Sequence, residues 1–139
     1  MAAKKKTWIE KRDDDSKAAI VKKLDKAFAD MPEDATMLIA TPKIIDEYVR
    51  QIPKGNQVSL KTLRKDLALE HQAEVTCPVT TGIFLRIVSE AAYEEYKQGK
   101  ALKNITPFWR VVESNSALNK KLSFGTDFVK EQRAKEKLP

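Results

Sequence analysis

Ile52-Pro53-Lys54-Gly55-Asn56-Gln57-Val58-Ser59 divides two stretches of helical patterning, and how it is read decides the fold. Pro53 cannot continue a helix interior and Lys54-Gly55-Asn56 has the composition of a turn, so a helix that reaches this point must stop. Ser59 then offers an N-cap hydroxyl to a new helix, whose apolar positions Leu60, Leu63 and Leu67 share one face. Upstream, Thr41 caps and Pro42 opens a helix in which Ile44, Ile45, Tyr48 and Val49 recur at helical spacing. Helix, turn and helix follow in quick succession, with Gln57-Val58 as a short extended link.

Towards the C-terminus, the break Thr76-Cys77-Pro78 precedes a third helix from Thr80 to about Gln98. Its stripe of Ile83, Phe84, Ile87, Val88 and Ala91 should pack across the second helix. A basic exit around Gly99 leads to the apolar segment Phe108 to Val112, expected to turn and enter a strand. The loop Glu113-Ser114-Asn115-Ser116 follows, and Phe124-Gly125-Thr126 caps a final helix of about Asp127 to Lys137. Towards the N-terminus, residues 1–34 read as a partly helical extension. Ser16 would cap a helix from about Lys17 to Ala29, carrying Ala19, Ile20, Leu24, Ala27 and Phe28, while Trp8 and Ile9 anchor the extension to the core. The expected organisation is this extension followed by one domain over 35–139, α+β and mostly helical.

The 139 residues, 42% hydrophobic and 33% charged, suit a single core. No apolar run approaches the ~20 residues of a membrane helix, and Lys4-Lys5-Lys6 is not followed by the apolar stretch of a signal peptide, so a soluble, cytoplasmic and monomeric protein is expected. One cysteine, Cys77, excludes an internal disulfide, and one histidine, His71, leaves too few soft ligands for an ordinary zinc site. Neither a metal nor a cofactor is implied. The net charge of +6 falls mostly on residues 35–139, which hold 17 Lys/Arg against 12 Asp/Glu. An excess of this kind favours a polyanionic partner through counterion release.

Taken together, the segments resemble the C-terminal winged helix-turn-helix DNA-binding domain of alkylguanine-DNA alkyltransferases over about Thr41 to Lys137. Ile52 to Ser59 is similar to the family's Ile-Pro-x-Gly-x-Val-x-Thr lead into the helix-turn-helix, and Pro78 to Ala92 corresponds to the recognition helix. Pro107-x-x-Arg110-Val111-Val112 resembles the active-site turn Pro-Cys-His-Arg-Val, and Glu136 falls at the family's triad glutamate. The resemblance is closer still to the alkyltransferase-like proteins that keep the fold and lack the cysteine. The chain also looks like one of a smaller bacterial set of alkyltransferase-related proteins that share the segments Thr-Cys-Pro-Val/Ile-Thr-Thr-Gly-Ile-Phe and Thr-Pro-Phe/Tyr-Trp-Arg. The resemblance implies binding of double-stranded DNA, with alkylated guanine as the candidate lesion and repair proteins as candidate partners.

The departures remove chemistry. Alkyl transfer needs a thiolate and an imidazole to keep it deprotonated, and Phe108 and Trp109 supply neither. Leu60 stands where the family has a nucleotide-rotating tyrosine, and Thr81 or Gly82 where it has an intercalating arginine. Phe108 and Trp109 either stack on an extruded base, worth ~1–3 kcal/mol, or fill core volume. Arg110 either braces the turn or meets phosphate. Cys77, beside Pro78 at a helix start, is either a buried small residue or the acceptor thiol of an enzyme. Lys54, Ser59, Lys61, Arg64 and Lys65 are candidate phosphate contacts, with Lys97, Lys100 and Lys103 as the other bank of a groove. Thr80, Thr81 and Gly82 form either a phosphate cradle or a helix cap. Arg86 either reads bases or pairs with Glu90 one turn on. A protein-interaction module that has lost DNA binding is the remaining alternative.

Overall fold

The structure, a computed structural model, describes residues 5–139, so Lys4 of the charged opening lies outside the described residues. Each break read in the sequence starts or stops an element. Thr41 accepts a hydrogen bond from the Ile44 N–H at 3.2 Å and Pro42 occupies the first turn of α2 (Pro42–Arg50). Ser59 accepts from the Thr62 N–H at 3.1 Å at the head of α3 (Leu60–Glu70). In both cases a side-chain oxygen satisfies a donor that the first helical turn would leave unpaired. The long helix α4 (Pro78–Lys97) ends where Gly99 takes φ +106°, a conformation that strains residues with a Cβ.

The N-terminal segment departs from expectation. The helix of about Lys17 to Ala29 does not form. A short helix α1 (Trp8–Asp13) precedes it, closed by reciprocal hydrogen bonds between Thr7 and Glu10. Strand β1 (Ile20–Lys23) then pairs antiparallel with β2 (Thr36–Ile39), Ile20 facing Ile39. β-branched Ile20 and Val21 favour extended backbone, and Ala29 at φ 53° turns the chain before Pro32. A two-residue strand β3 (Val75–Thr76), between α3 and α4, pairs parallel with β2 and completes a three-stranded sheet in the order β1-β2-β3. The molecule is thus α+β and mostly helical, with a small sheet.

A second correction concerns residues 108–112. They turn, but no strand follows α4 among the described residues. A 3₁₀ turn at Phe108–Arg110 leads to Val111 and Val112, both buried, whose N–H groups donate to the Phe108 carbonyl at 3.0 and 2.8 Å. Their N–H groups are satisfied within the turn, without a partner strand. Helix α5 (Ala117–Lys121) then precedes α6 (Asp127–Lys135).

The main core collects Leu38 from β2, Ile45 and Val49 from α2, Leu63 and Leu67 from α3, Leu85 and Val88 from α4, and Phe108 and Val129. A second cluster of Leu24, Met31, Ala35, Met37 and Cys77 lies between the β1–β2 connection and the start of α4. Helix α1 docks on α4 through buried Arg12, whose Nη1 donates to Glu95 Oε1 at 2.5 Å. No helix among the described residues is long and apolar enough to cross a membrane.

Phe108 is fully buried at the centre of this core. Phe108→Ala is expected to lower unfolding free energy by about 3–5 kcal/mol in urea titration. A loss below about 1 kcal/mol would contradict its place there.

Candidate functional site

Residues 106–112 are held from three sides. Pro107 (φ −79°, ψ 65°) is the centre of an inverse γ-turn, in which the Phe108 N–H donates to the Thr106 carbonyl at 2.8 Å. The buried Thr106 hydroxyl donates to Asp46 Oδ1 on α2 at 2.5 Å, and Arg50 Nε donates to Asp46 Oδ2 at 2.8 Å. Phe108 points inward. Its ring stacks on Phe128 with centroids 5.7 Å apart and meets Phe124 edge-on at 5.9 Å, in a cluster completed by the Tyr93–Phe124 stack at 3.9 Å. It cannot line a lesion pocket, because no face of it is open. It fills core volume instead.

Trp109 and Arg110 converge on one carboxylate. Glu136, just past α6, accepts from Trp109 Nε1 at 2.6 Å, from Arg110 Nε and Nη2 at 2.9 Å each, and from the Gly55 N–H at 2.9 Å. Gly55 sits at φ +83°, so the turn between α2 and α3 aims this N–H at the carboxylate. Arg110 Nη1 also donates to the Ile52 carbonyl at 2.7 Å. Buried Arg133, one turn earlier on α6, donates to the Trp109 carbonyl at 2.7 Å and to Gln57 Oε1 at 2.5 Å. Burial alone would push the Glu136 carboxyl up, but its hydrogen bonds from Arg110, Gly55 and Trp109 outweigh that and hold it below the ordinary glutamate value. The carboxylate is therefore ionised at neutral pH and orients an indole N–H and a guanidinium.

Beside this assembly lies a cleft of about 420 Å³. Leu102, Ile105, Pro107 and Trp109 provide apolar wall, while Arg50, Lys54, Lys103, Arg110 and Lys135 bring cationic groups, with Glu136 the lone carboxylate. Arg110 is consumed by Glu136 and Arg50 by Asp46. Lys54, Lys103 and Lys135 have no ion-pair partner among the described residues. The cleft thus combines the small exposed part of Trp109, 3% of the residue, with free ammonium groups and no thiol or imidazole, an arrangement that offers apolar wall and positive charge to an anionic ligand. Lys54 and Lys103, read from separate basic runs, meet here. Arg50, Gln132 and Lys135 were missed because nothing local marks them. The docking of α6 against residues 106–112 brings in Gln132 and Lys135, and α2 brings in Arg50 through Asp46 and Thr106.

The remaining candidates separate into engaged and free. Arg64 forks onto Asp30, both Nη atoms at 2.9 Å, and its Nε donates to the Thr76 carbonyl at 3.0 Å, so it secures the β1–β2 connection and is not free for phosphate. Thr81 is fully buried and its hydroxyl donates to the Cys77 carbonyl at 2.6 Å, which removes it from any phosphate cradle. Thr80 is half-buried and its hydroxyl has no partner. Gly82 and Arg86 line a different groove, where Arg86 Nε approaches Glu90 at 3.5 Å. Lys61 and Lys65 are exposed on α3, and Ser59 is spent on its cap. Of the second basic run, Lys100 pairs with Glu95 at 2.9 Å. Cys77 is 5% exposed among Leu24, Met31, Ala35 and Met37 and does not reach the cleft. Among the described residues no group of three or more His, Cys, Asp or Glu side chains is placed to hold a metal ion.

Because the folded Glu136 carboxyl lies below its ordinary value of 4.5, its stabilising bonds are complete above that value and are lost as pH falls through the lower folded one. Glu136→Gln is expected to cost about 3 kcal/mol at neutral pH by urea unfolding. The gap to the parent should narrow by about pH 3. An unchanging gap would contradict the ionised hub.

No family model, curated protein or solved structure gives a significant match to this chain, so its function rests on the geometry above.

Proposed function

We propose that the protein is a non-catalytic DNA-binding module of the winged helix-turn-helix, alkyltransferase-like kind. It takes an extruded base, alkylated guanine being the candidate, into the cleft beside Trp109. One observation carries the reading. At residues 107–110, which the resemblance aligns with the alkyltransferase active-site turn, an apolar wall braced by Glu136 stands next to three lysines with no ion-pair partner among the described residues. A base in the cleft has its edge against Trp109 and Pro107, and the flanking phosphates lie within the field of Lys54, Lys103 and Lys135. Lys61 and Lys65 extend the positive surface along α3. Arg110 serves this site as a brace. Phe108 supports it from the core and touches no ligand.

Such a protein binds without turnover and leaves the lesion for other repair factors. The enzyme alternative requires Cys77 to be reached by the alkyl group, and its position among Leu24, Met31, Ala35 and Met37 opposes this. Intact-mass measurement after incubation with alkylated duplex is expected to show an unmodified chain. An adduct on Cys77 would establish the enzyme.

Fluorescence anisotropy with a labelled duplex carrying O6-methylguanine is expected to show binding that weakens steeply with salt. Replacing Lys54, Lys103 and Lys135 together with alanine should lower the log–log salt slope by about 2–3. Absence of binding at low salt, or affinity indifferent to salt, would contradict the proposal.

A further inference from the structure

Opposite in character to the lysine-rimmed cleft is a groove of about 590 Å³ on the outer face of α4, open to solvent. Val79 and Ile83, one turn apart, are 53% and 54% exposed, and Leu60 at the head of α3 is 38% exposed beside them. Trp8 from α1 and Leu118 from α5 also line it. Exposed apolar side chains are ordinary when scattered. Gathered into one concavity by four helices, they leave a surface that gains free energy by being covered.

The rim identifies what covers it. Every charged residue lining the groove is a cation: Lys11, Arg86 and Lys121. Lys11 Nζ lies 4.4 Å from the centroid of the Trp8 ring and the Arg86 guanidinium 5.5 Å, so both positive groups lean over the apolar wall. Neither Lys11 nor Lys121 has an ion-pair partner among the described residues. Glu90, which meets Arg86 at 3.5 Å, is buried and also accepts from the Ser123 N–H and hydroxyl, so it does not neutralise the rim.

We propose that this groove docks an acidic amphipathic helix of a partner protein, with apolar side chains spaced i, i+3/i+4, i+7 against Leu60, Val79 and Ile83, and flanking carboxylates on Lys11, Arg86 and Lys121. A duplex would satisfy the cations and leave the apolar floor uncovered, since phosphates and sugars bury little against isoleucine and valine. A second copy of this chain arrives with a net charge of +6 against a cationic rim. An acidic helix satisfies floor and rim together. The groove shares no lining residue with the Trp109 cleft, but it lies on the helix that the resemblance aligns with the recognition helix, so a peptide seated here and a duplex read by that helix compete for one face.

The probe is a labelled peptide of about 15 residues, leucine at the apolar positions and glutamate elsewhere. It is measured by anisotropy against a scrambled peptide and against a lysine-for-glutamate version. The full chain is expected to bind the acidic amphipathic peptide at least tenfold more tightly than either control. Ile83→Ser removes apolar floor at an exposed position. Gly82→Leu projects a side chain into open space, since nothing lies within 4 Å of the added Cβ. Each should weaken the peptide at least tenfold with the fold intact by circular dichroism. Lys11→Glu/Lys121→Glu should invert the preference towards the lysine peptide. Equal binding of all three peptides, or indifference to Ile83→Ser and Gly82→Leu, overturns the proposal. So does loss of duplex binding in Ile83→Ser without loss of peptide, which assigns the groove to nucleic acid. A dimer in sedimentation that Ile83→Ser dissociates likewise overturns it, in favour of a second copy.

Discussion

The Glu136 carboxylate is the point where three distant parts of the chain become one site. It receives the Gly55 N–H of the turn between α2 and α3, the indole N–H of Trp109, and the Arg110 guanidinium, all within 2.6–2.9 Å. Charge-assisted hydrogen bonds of this kind are shorter and stronger than neutral ones, and their geometry is directional. Without the carboxylate, Arg110 would be a half-buried cation with only the Ile52 carbonyl to meet it, and the indole N–H would lose its acceptor. Arg133 reinforces the same junction from the next turn of α6 by holding the Trp109 carbonyl. The wall of the cleft is therefore set by α6, although none of the apolar wall residues belongs to it.

This arrangement gives the cleft a wall of groups that are held in place by hydrogen bonds and include no thiol or imidazole. In a nucleophilic site, the acid of a triad orients an imidazole so that a thiolate persists. Here the acid orients an indole, which donates one hydrogen bond and serves as neither general acid nor general base at neutral pH. Phe108 occupies the adjoining volume with an apolar ring sealed by Phe124 and Phe128. Phe108 and Trp109 are mutually consistent in this setting. An indole needs an acceptor when buried, and the buried phenyl needs aromatic neighbours, and each finds what it needs. The two aromatic residues supply shape and rigidity beside a cleft rimmed by cationic side chains.

Much of the fold could be read from the chain because its signals were local. Thr41-Pro42, Ser59 and the 76–78 break each place a helix start within two residues of where it lies. Residues 17–29 were misread because Ile20, Leu24, Ala27 and Phe28 have helical spacing, whereas the backbone of 20–23 is claimed by β2, more than ten residues downstream. Tertiary pairing overrides periodicity there. The same limit applies to the site. Trp109, Lys54 and Lys103 were visible as unusual residues, and a contact between them was not. Arg64 and Thr81 looked available because Asp30 and the Cys77 carbonyl, their actual partners, are fixed only by the folded chain.

The most direct test of the binding account is the indole N–H resonance of Trp109 in an ¹⁵N-labelled protein, followed as duplex containing alkylated guanine is added, with the Trp8 indole as internal reference. A base entering the cleft changes the field at the Trp109 ring edge. The account predicts a saturable shift of Trp109 that exceeds any shift of Trp8, which lines the other groove. Saturated duplex with an unmoved Trp109 resonance would contradict it.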